Sequence, residues 1–302
     1  MRQLKPKPML TNIGANAPTT KLAEVNSTGQ LLDLWLYGKS AQSSRAYQSD
    51  VKAFLAFIDG KLLTQVTLND VQAFAQALLK QGYSSATQNR RLSAIKSLLS
   101  FGHRVGYLAF DVGAPVIAPK IKNTLAERIL TTVEVTSAIS SEPNQRNKLL
   151  LQFLYISGAR VSEVTLLRWR DLRSTGQERG QVTLFGKGGK TRVVVLPIWL
   201  FDELLILRGK ASKEAPVFVS RKKCGAIQAN QVRRIASTAF KRAGISDNVS
   251  PHWLRHSHAS HALDKDVPIQ LVQATLGHKS VATTSLYLHA RPSDSSAMYL
   301  PL

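Results

Sequence analysis

Before residue 110 the chain repeats one pattern, short segments with apolar residues at helical spacing, most of them closed by a glycine. Between Ser44 and Gly60, the residues Tyr47, Val51, Phe54, Leu55 and Ile58 fall on a single stripe of a helix that Gly60 can end. Similar stripes run from Gln30 to Tyr37, from Leu68 to Leu79 ahead of Gly82, and from Ser85 to Val105 ahead of Gly106. Such stripes must be covered, and short helices cover one another, so the segment predicts a small helical bundle.

The pattern breaks at Gly113-Ala114-Pro115-Val116-Ile117-Ala118-Pro119-Lys120, where two prolines remove amide donors and disfavour helix before them. A linker is expected there. Beyond it, Gln145 to Ile156 reads as an apolar helix stopped by Ser157-Gly158, and another helix follows Arg160. Two β-branched runs, Gln181 to Phe185 and Arg192 to Leu196, flank Gly186-Lys187-Gly188-Gly189-Lys190, the pattern of a hairpin with a glycine tip. Helical patterns return from Gln231 to Ala243 and dominate from Trp253 to Leu288. The chain therefore reads as mainly α with a small antiparallel β-sheet. Its expected divisions are an arm over residues 1–22, a helical domain over 23–112, a linker over 113–124 and an α+β domain over 125–302.

At 302 residues and 44% hydrophobic content, the chain can bury a core in each of two domains. Forty Lys and Arg against nineteen Asp and Glu leave a formal charge of +21, spread over both halves, which points to a polyanionic partner. The single cysteine, Cys224, excludes an internal disulfide and argues for a reducing compartment. No stretch approaches the ~18 apolar residues needed to span a bilayer, so a cytoplasmic protein without a membrane partner is expected. In the last N-terminal stripe Leu92, Ile95 and Leu99 face inward and leave Arg90, Arg91 and Lys96 to project elsewhere. They can track a phosphate backbone, or serve as ordinary solubilising charges.

The chemistry-bearing residues of the second half are Arg160 in Gly-Ala-Arg-Val-Ser-Glu, Lys187 on the hairpin tip, and His252 and Arg255 in His-Trp-Leu-Arg-His. His278 in Leu-Gly-His-Lys-Ser and Tyr287, nine residues later, complete the set. Each alone has an ordinary structural explanation. Their order resembles that of the tyrosine recombinase and phage integrase family: Arg, Lys, His-x-x-Arg, His or Trp, then Tyr. The resemblance runs from about Thr131 to His289, and more loosely covers the preceding bundle, which is similar to the family's SAM-like core-binding domain. Its most specific portions are His252 to His261, Leu276-Gly277-His278 and Thr284 to His289.

The resemblance implies a site-specific DNA recombinase that cuts and rejoins strands through a 3′-phosphotyrosyl intermediate, without metal, ATP or other cofactor. Two guanidinium groups, Arg160 and Arg255, suit a phosphate gathering charge on its non-bridging oxygens. Tyr287 would be the nucleophile, and with a phenol pKa of ~10 it needs a base and a cationic setting. His252 can supply the base, and Lys187 a proton for the leaving 5′ oxygen. Lys190 and Arg192 resemble the family's backbone-contacting neighbours, His278 the position that hydrogen-bonds the phosphate, and Glu163 the acid that props the site. Glu163 also fits a purely structural carboxylate near its helix N-terminus.

A metal reading weighs His252, His256, His258 and His261, of which the first two share a helix face. No His-Glu-x-x-His pattern is present, so those beyond His252 are expected to pack or to contact phosphate, and no metal is expected. No Gly-x-x-x-x-Gly-Lys-Ser/Thr loop indicates ATP hydrolysis. Tyr299 is a rival nucleophile only in principle. The chain departs from the family where many members have a glycine after the His-x-x-Arg helix, because Asp266 stands there.

By resemblance, the expected partners are double-stranded DNA and three further copies in a tetramer on two DNA sites, with Ser293 to Leu302 docking into a neighbour. A second recombinase or a directionality factor can belong to the system. A type IB topoisomerase-like enzyme and a non-catalytic architectural DNA-binding protein are the competing readings. The first would relax supercoils without a defined site, and the second has no need of Tyr287.

Overall fold

The structure is a computed structural model and describes residues 25–120, 124–175, 179–186, 189–221 and 225–288. The chain divides into two compact units, Met1–Lys122 and Asn123–Leu302. The expected arm, Lys187, Tyr299 and the C-terminal tail lie outside the described residues.

The first unit is the expected bundle: α1 (Thr28–Leu36), α2 (Ala41–Phe57), α3 (Leu68–Lys80) and α4 (Ser85–Arg104). Each helix starts at a hydroxyl residue, Ser27, Ser40, Thr67 or Ser84, whose side chain accepts a first-turn backbone N–H. That cap satisfies a donor with no partner inside the helix, and its loss costs about 1 kcal/mol. The inward stripes meet in a core that includes Leu31, Phe54, Phe74, Leu92, Ile95 and Leu99. Phe54 and Phe74 pack edge to face at 5.1 Å. Each large apolar side chain buried in this way contributes roughly 1.5–3 kcal/mol. Val116, inside the stretch read as linker, is buried in the same core, and Lys96 donates to its carbonyl.

After a single tight helical turn at Ala126–Arg128, the second unit forms α5 (Thr132–Ser140), α6 (Gln145–Ser157) and α7 (Val161–Leu166). A three-stranded antiparallel sheet follows, β1 (Leu172–Ser174), β2 (Arg179–Phe185) and β3 (Thr191–Pro197), in the order β1-β2-β3. Next come α8 (Ile198–Arg208), α9 (Ala229–Arg242), α10 (Pro251–Leu263), α11 (Ile269–Leu276) and α12 (Val281–Ser285). The hairpin pairs Val182 with Val194, and its last pair is Phe185 with Thr191, which puts Gly186 and Lys190 at the end of the sheet. Val182, Leu184, Val194 and Leu196 face a core shared with Leu150, Phe153 and Leu154 of α6 and Leu200 and Leu204 of α8.

Three elements escape the sequence reading. Helix α8 has almost no polar face to reveal a period, α5 is rich in β-branched residues, and β1 is too short to alternate. Asp266 takes the left-handed conformation, φ 57°, that glycine adopts at low cost, so the turn after α10 keeps its geometry despite the departure.

Candidate active site

Helix α6 ends at Gly158, whose φ of 58° reverses the chain so that Arg160 can begin α7. A Cβ on Gly158 would lie 2.5 Å from Leu276, so both backbone and space require glycine there. One turn into α7, Glu163 is 2% exposed and gathers four donors. The Arg160 N–H lies 2.7 Å from Oε2, Arg160 Nη1 3.0 Å from Oε1, and Arg192 Nη1 and Nη2 2.7 and 2.8 Å from Oε1 and Oε2. Burial alone would raise the carboxyl's pKa, but the bonds from Arg192 and the Arg160 backbone pull it below its ordinary value. Glu163 thus caps the start of α7 and ties two arginines together. Arg192 is turned inward, with Nε donating to Thr275 O at 2.6 Å, rather than outward as a backbone-contacting residue would be.

Arg255 lies on α10 and is 4% exposed. Its Nη1 donates to Gly158 O and its Nη2 to Leu276 O at 2.6 Å, the carbonyls that finish α6 and α11. Burial, followed by repulsion from Arg160 and Arg192, lowers its pKa to about 9. Arg160 is half-buried, and its Nη2 approaches Gly277 O at 3.5 Å.

Tyr287 follows α12 and is 5% exposed, packed with Ile129, Ala259, Val272 and Leu276. Its hydroxyl hydrogen-bonds His256 Nδ1 at 2.8 Å, so the imidazole that meets the phenol is not His252. The helix explains the difference. His252 occupies the exposed first turn of α10, whereas His256 lies one turn further on, level with Tyr287. The His278 ring stacks parallel to Tyr287 at 6.3 Å, and its Nδ1 is fixed by Thr284 Oγ1 at 2.9 Å. Burial raises the phenol's pKa while Arg255 and Arg160 draw it down. Desolvation, then Arg255, Arg233 and Arg160, lower His252, and the same kinds of cause hold His256 and His278 at about 4.

The other two histidines of α10 pin that helix in place. His261 Nε2 donates to Leu130 O and Nδ1 accepts from the Tyr155 hydroxyl, both at 2.8 Å, while His258 Nδ1 donates to Tyr155 O at 2.9 Å. Among the described residues no group of three or more His, Cys, Asp or Glu is arranged to hold a metal ion.

A cavity of about 500 Å³ opens beside these groups, lined by Arg160, Lys190, Arg192, His278, Lys279 and Thr283, among others. Lys279 lines the cavity but carries no sequence signal, since it merely follows a motif histidine, and His256, expected to pack or to contact phosphate, instead meets the Tyr287 hydroxyl. In the first unit, Arg90 pairs with Asp50, which is 1% exposed. Arg91 lies 4.1 Å over the Tyr83 ring, its Nε 3.9 Å from Asp50. These partners hold Arg90, Arg91 and Lys96 to the bundle; Arg90 remains half-exposed.

The chain matches the family described as "Phage integrase family" over residues 122–294, and "Phage integrase, N-terminal SAM-like domain" over residues 31–106. It is 32% identical over 284 residues to the tyrosine recombinase XerC of Corynebacterium glutamicum, covering 91% of this chain and 90% of that one. Its fold is similar to a lambda integrase dimer bound to a COC′ core site, with a TM-score of 0.72 and 19% identity over 89% of this chain and 98% of the other. It is also similar to a lambda integrase tetramer bound to a Holliday junction, with a TM-score of 0.72 and 18% identity over 91% and 81%.

Proposed function

The chain belongs to the phage integrase family of tyrosine recombinases, enzymes that cut and rejoin DNA at specific sites, and on that premise we propose how its own residues carry the reaction. The observation that carries the reading is the cationic cavity of Arg160, Lys190 and Lys279, with His278 on its wall and Tyr287 stacked behind that histidine. A phosphodiester fits such a pocket because its non-bridging oxygens gain charge as phosphorus is attacked.

Arg160 and Arg255 hold those oxygens, and His252 and His278 add hydrogen bonds to the same phosphate. Glu163 and Arg192 keep Arg160 in place. Tyr287 Oη attacks phosphorus, the bond to the 5′ oxygen breaks, and a 3′-phosphotyrosyl link forms. His252 is the proposed acceptor of the phenolic proton, and the leaving oxygen takes a proton from Lys187. The link conserves the energy of the broken phosphodiester, so rejoining a partner strand needs no nucleotide. Arg90, Arg91, Lys96 and Lys190 are the proposed contacts to the DNA backbone. Four copies on two DNA sites form the proposed assembly, a reading supported by the similar fold of a lambda integrase tetramer bound to a Holliday junction.

The test is covalent capture on nicked suicide duplexes with chelator present. Wild-type protein is expected to become linked to DNA and Tyr287→Phe is not. An adduct that persists in Tyr287→Phe overturns the nucleophile, and loss of the adduct in chelator overturns the metal-free chemistry.

A further inference from the structure

Tyr287 is buried, so its hydroxyl has little access to water and depends on protein for a partner. That partner is His256 Nδ1 at 2.8 Å. A buried phenol donates readily, and an imidazole that is neutral with Nδ1 unprotonated accepts. Two rings flank the phenol, His256 at 5.7 Å with a 38° tilt and His278 at 6.3 Å nearly parallel. Both are themselves anchored, His256 within α10 and His278 by Thr284. The ring therefore has little freedom to tilt, and its O–H has one direction in which to point.

We propose that His256 is the residue that positions the Tyr287 hydroxyl: its Nδ1 takes the phenolic O–H as a hydrogen bond and so fixes which lone pair the oxygen turns toward a phosphate. This rests on Tyr287 being the nucleophile. It separates two tasks along one helix, with His252 in the exposed first turn facing substrate and His256, one turn deeper, facing the enzyme's own tyrosine. The environment of His256 supports a standing acceptor, because desolvation and the nearby His252, Arg128 and Arg255 keep the ring neutral. Without it, a buried O–H is left unpaired and the ring must turn to satisfy it, which moves the attacking oxygen. Misplacing a nucleophile by about 1 Å is enough to cost on the order of 100-fold in rate.

The experiment compares His256→Asn with His256→Leu in single-turnover cleavage of a suicide duplex at saturating protein, alongside DNA affinity for each. The amide oxygen of asparagine sits at the same bond separation from the backbone as Nδ1 and accepts the same hydrogen bond; leucine fills the space and accepts none. His256→Asn is expected to cleave within about 3-fold of wild type and His256→Leu to be slower by about 10- to 100-fold, both binding DNA normally. Wild-type cleavage by His256→Leu overturns the proposal, and so does equal loss in both variants with binding intact, which would make the ring a proton carrier. Tyr287→Phe runs in parallel: if it still forms the covalent adduct, the nucleophile assignment itself fails, whatever the His256 variants do.

Discussion

The Arg192 guanidinium grips the Glu163 carboxylate with both prongs, at 2.7 and 2.8 Å, while the other side of that carboxylate receives the Arg160 N–H and guanidinium. One buried anion thereby pairs with two cations that line the cavity and offsets one of their two charges, so the pair keeps a net positive charge. Its geometry sets where Arg160 can point.

Glu163→Gln leaves Arg192 buried with a neutral partner. Removing one member of a buried pair costs about 3–5 kcal/mol, so the urea midpoint should fall substantially and covalent capture with it. A variant with unchanged stability would show the pair to be dispensable.

The pH response has a definite sign. His256, His258 and His278 are held at about 4, chiefly by burial and by the neighbouring arginines, against 6.5 unfolded. Above about pH 6.5 these rings are neutral in both states and cost nothing. As pH falls from 6.5 toward 4 the unfolded chain binds protons that the folded chain refuses, and stability drops. Glu163 and Glu142, lowered below the ordinary carboxylate value by their hydrogen bonds to arginine and backbone, add a further loss in the same direction at more acid pH. Urea unfolding at pH 7 and pH 5 should give a clearly lower stability at pH 5, and no difference would refute the burial of these rings.

Asp266 occupies a left-handed position at φ 57°. Asp266→Gly should raise stability by up to about 1 kcal/mol, read as a higher melting temperature, because the substitution removes a Cβ clash without touching the site. Gly158→Ala should do the reverse and more strongly, given the 2.5 Å approach to Leu276.

Ser257 accepts the Leu130 N–H at 2.9 Å and donates to Trp253 O at 2.8 Å, fully buried. Ser257→Ala strands that N–H and should cost about 1–3 kcal/mol in chemical denaturation. Ser257→Thr, which keeps the hydroxyl, is expected to lose less.

Arg90→Ala exposes the other half of a conflict in the first unit, since it leaves Asp50 buried with Arg91 as its remaining cation. Stability should fall, and Arg90→Ala with Asp50→Asn should recover part of it. If Arg90 also meets DNA, the slope of log affinity against log salt will flatten by about 0.9 in both variants, whereas an unchanged slope removes it from the interface.

The four helices of the first unit were legible because each pairs a hydroxyl cap with an apolar stripe, both local signals. The hairpin was legible from its β-branched runs and glycine tip. Helix α8 was not, since a helix apolar nearly all round carries no period, and its packing against both the sheet and α6 is a tertiary fact. The motif residues could be picked out, but their partners could not. Nothing local says that Arg192 turns inward to Glu163, that Arg255 is committed to two carbonyls, or that the tyrosine's hydrogen bond belongs to His256. Those depend on which side chains from separate elements reach one point.

Arg255 closes the last turns of two helices with one side chain. Helix C-termini each carry a partial negative charge of roughly half an electron, so the two carbonyl ends together supply about the counter-charge that a carboxylate would otherwise have to bring. The guanidinium can thus stay buried without an acid attached to it, and a phosphate held there as proposed would have no carboxylate to displace. On its proposed role, scaffold and chemistry share this one side chain, which ties the enzyme's durability to its activity: an Arg255 variant disabled for cleavage would also be a protein with two frayed helix ends.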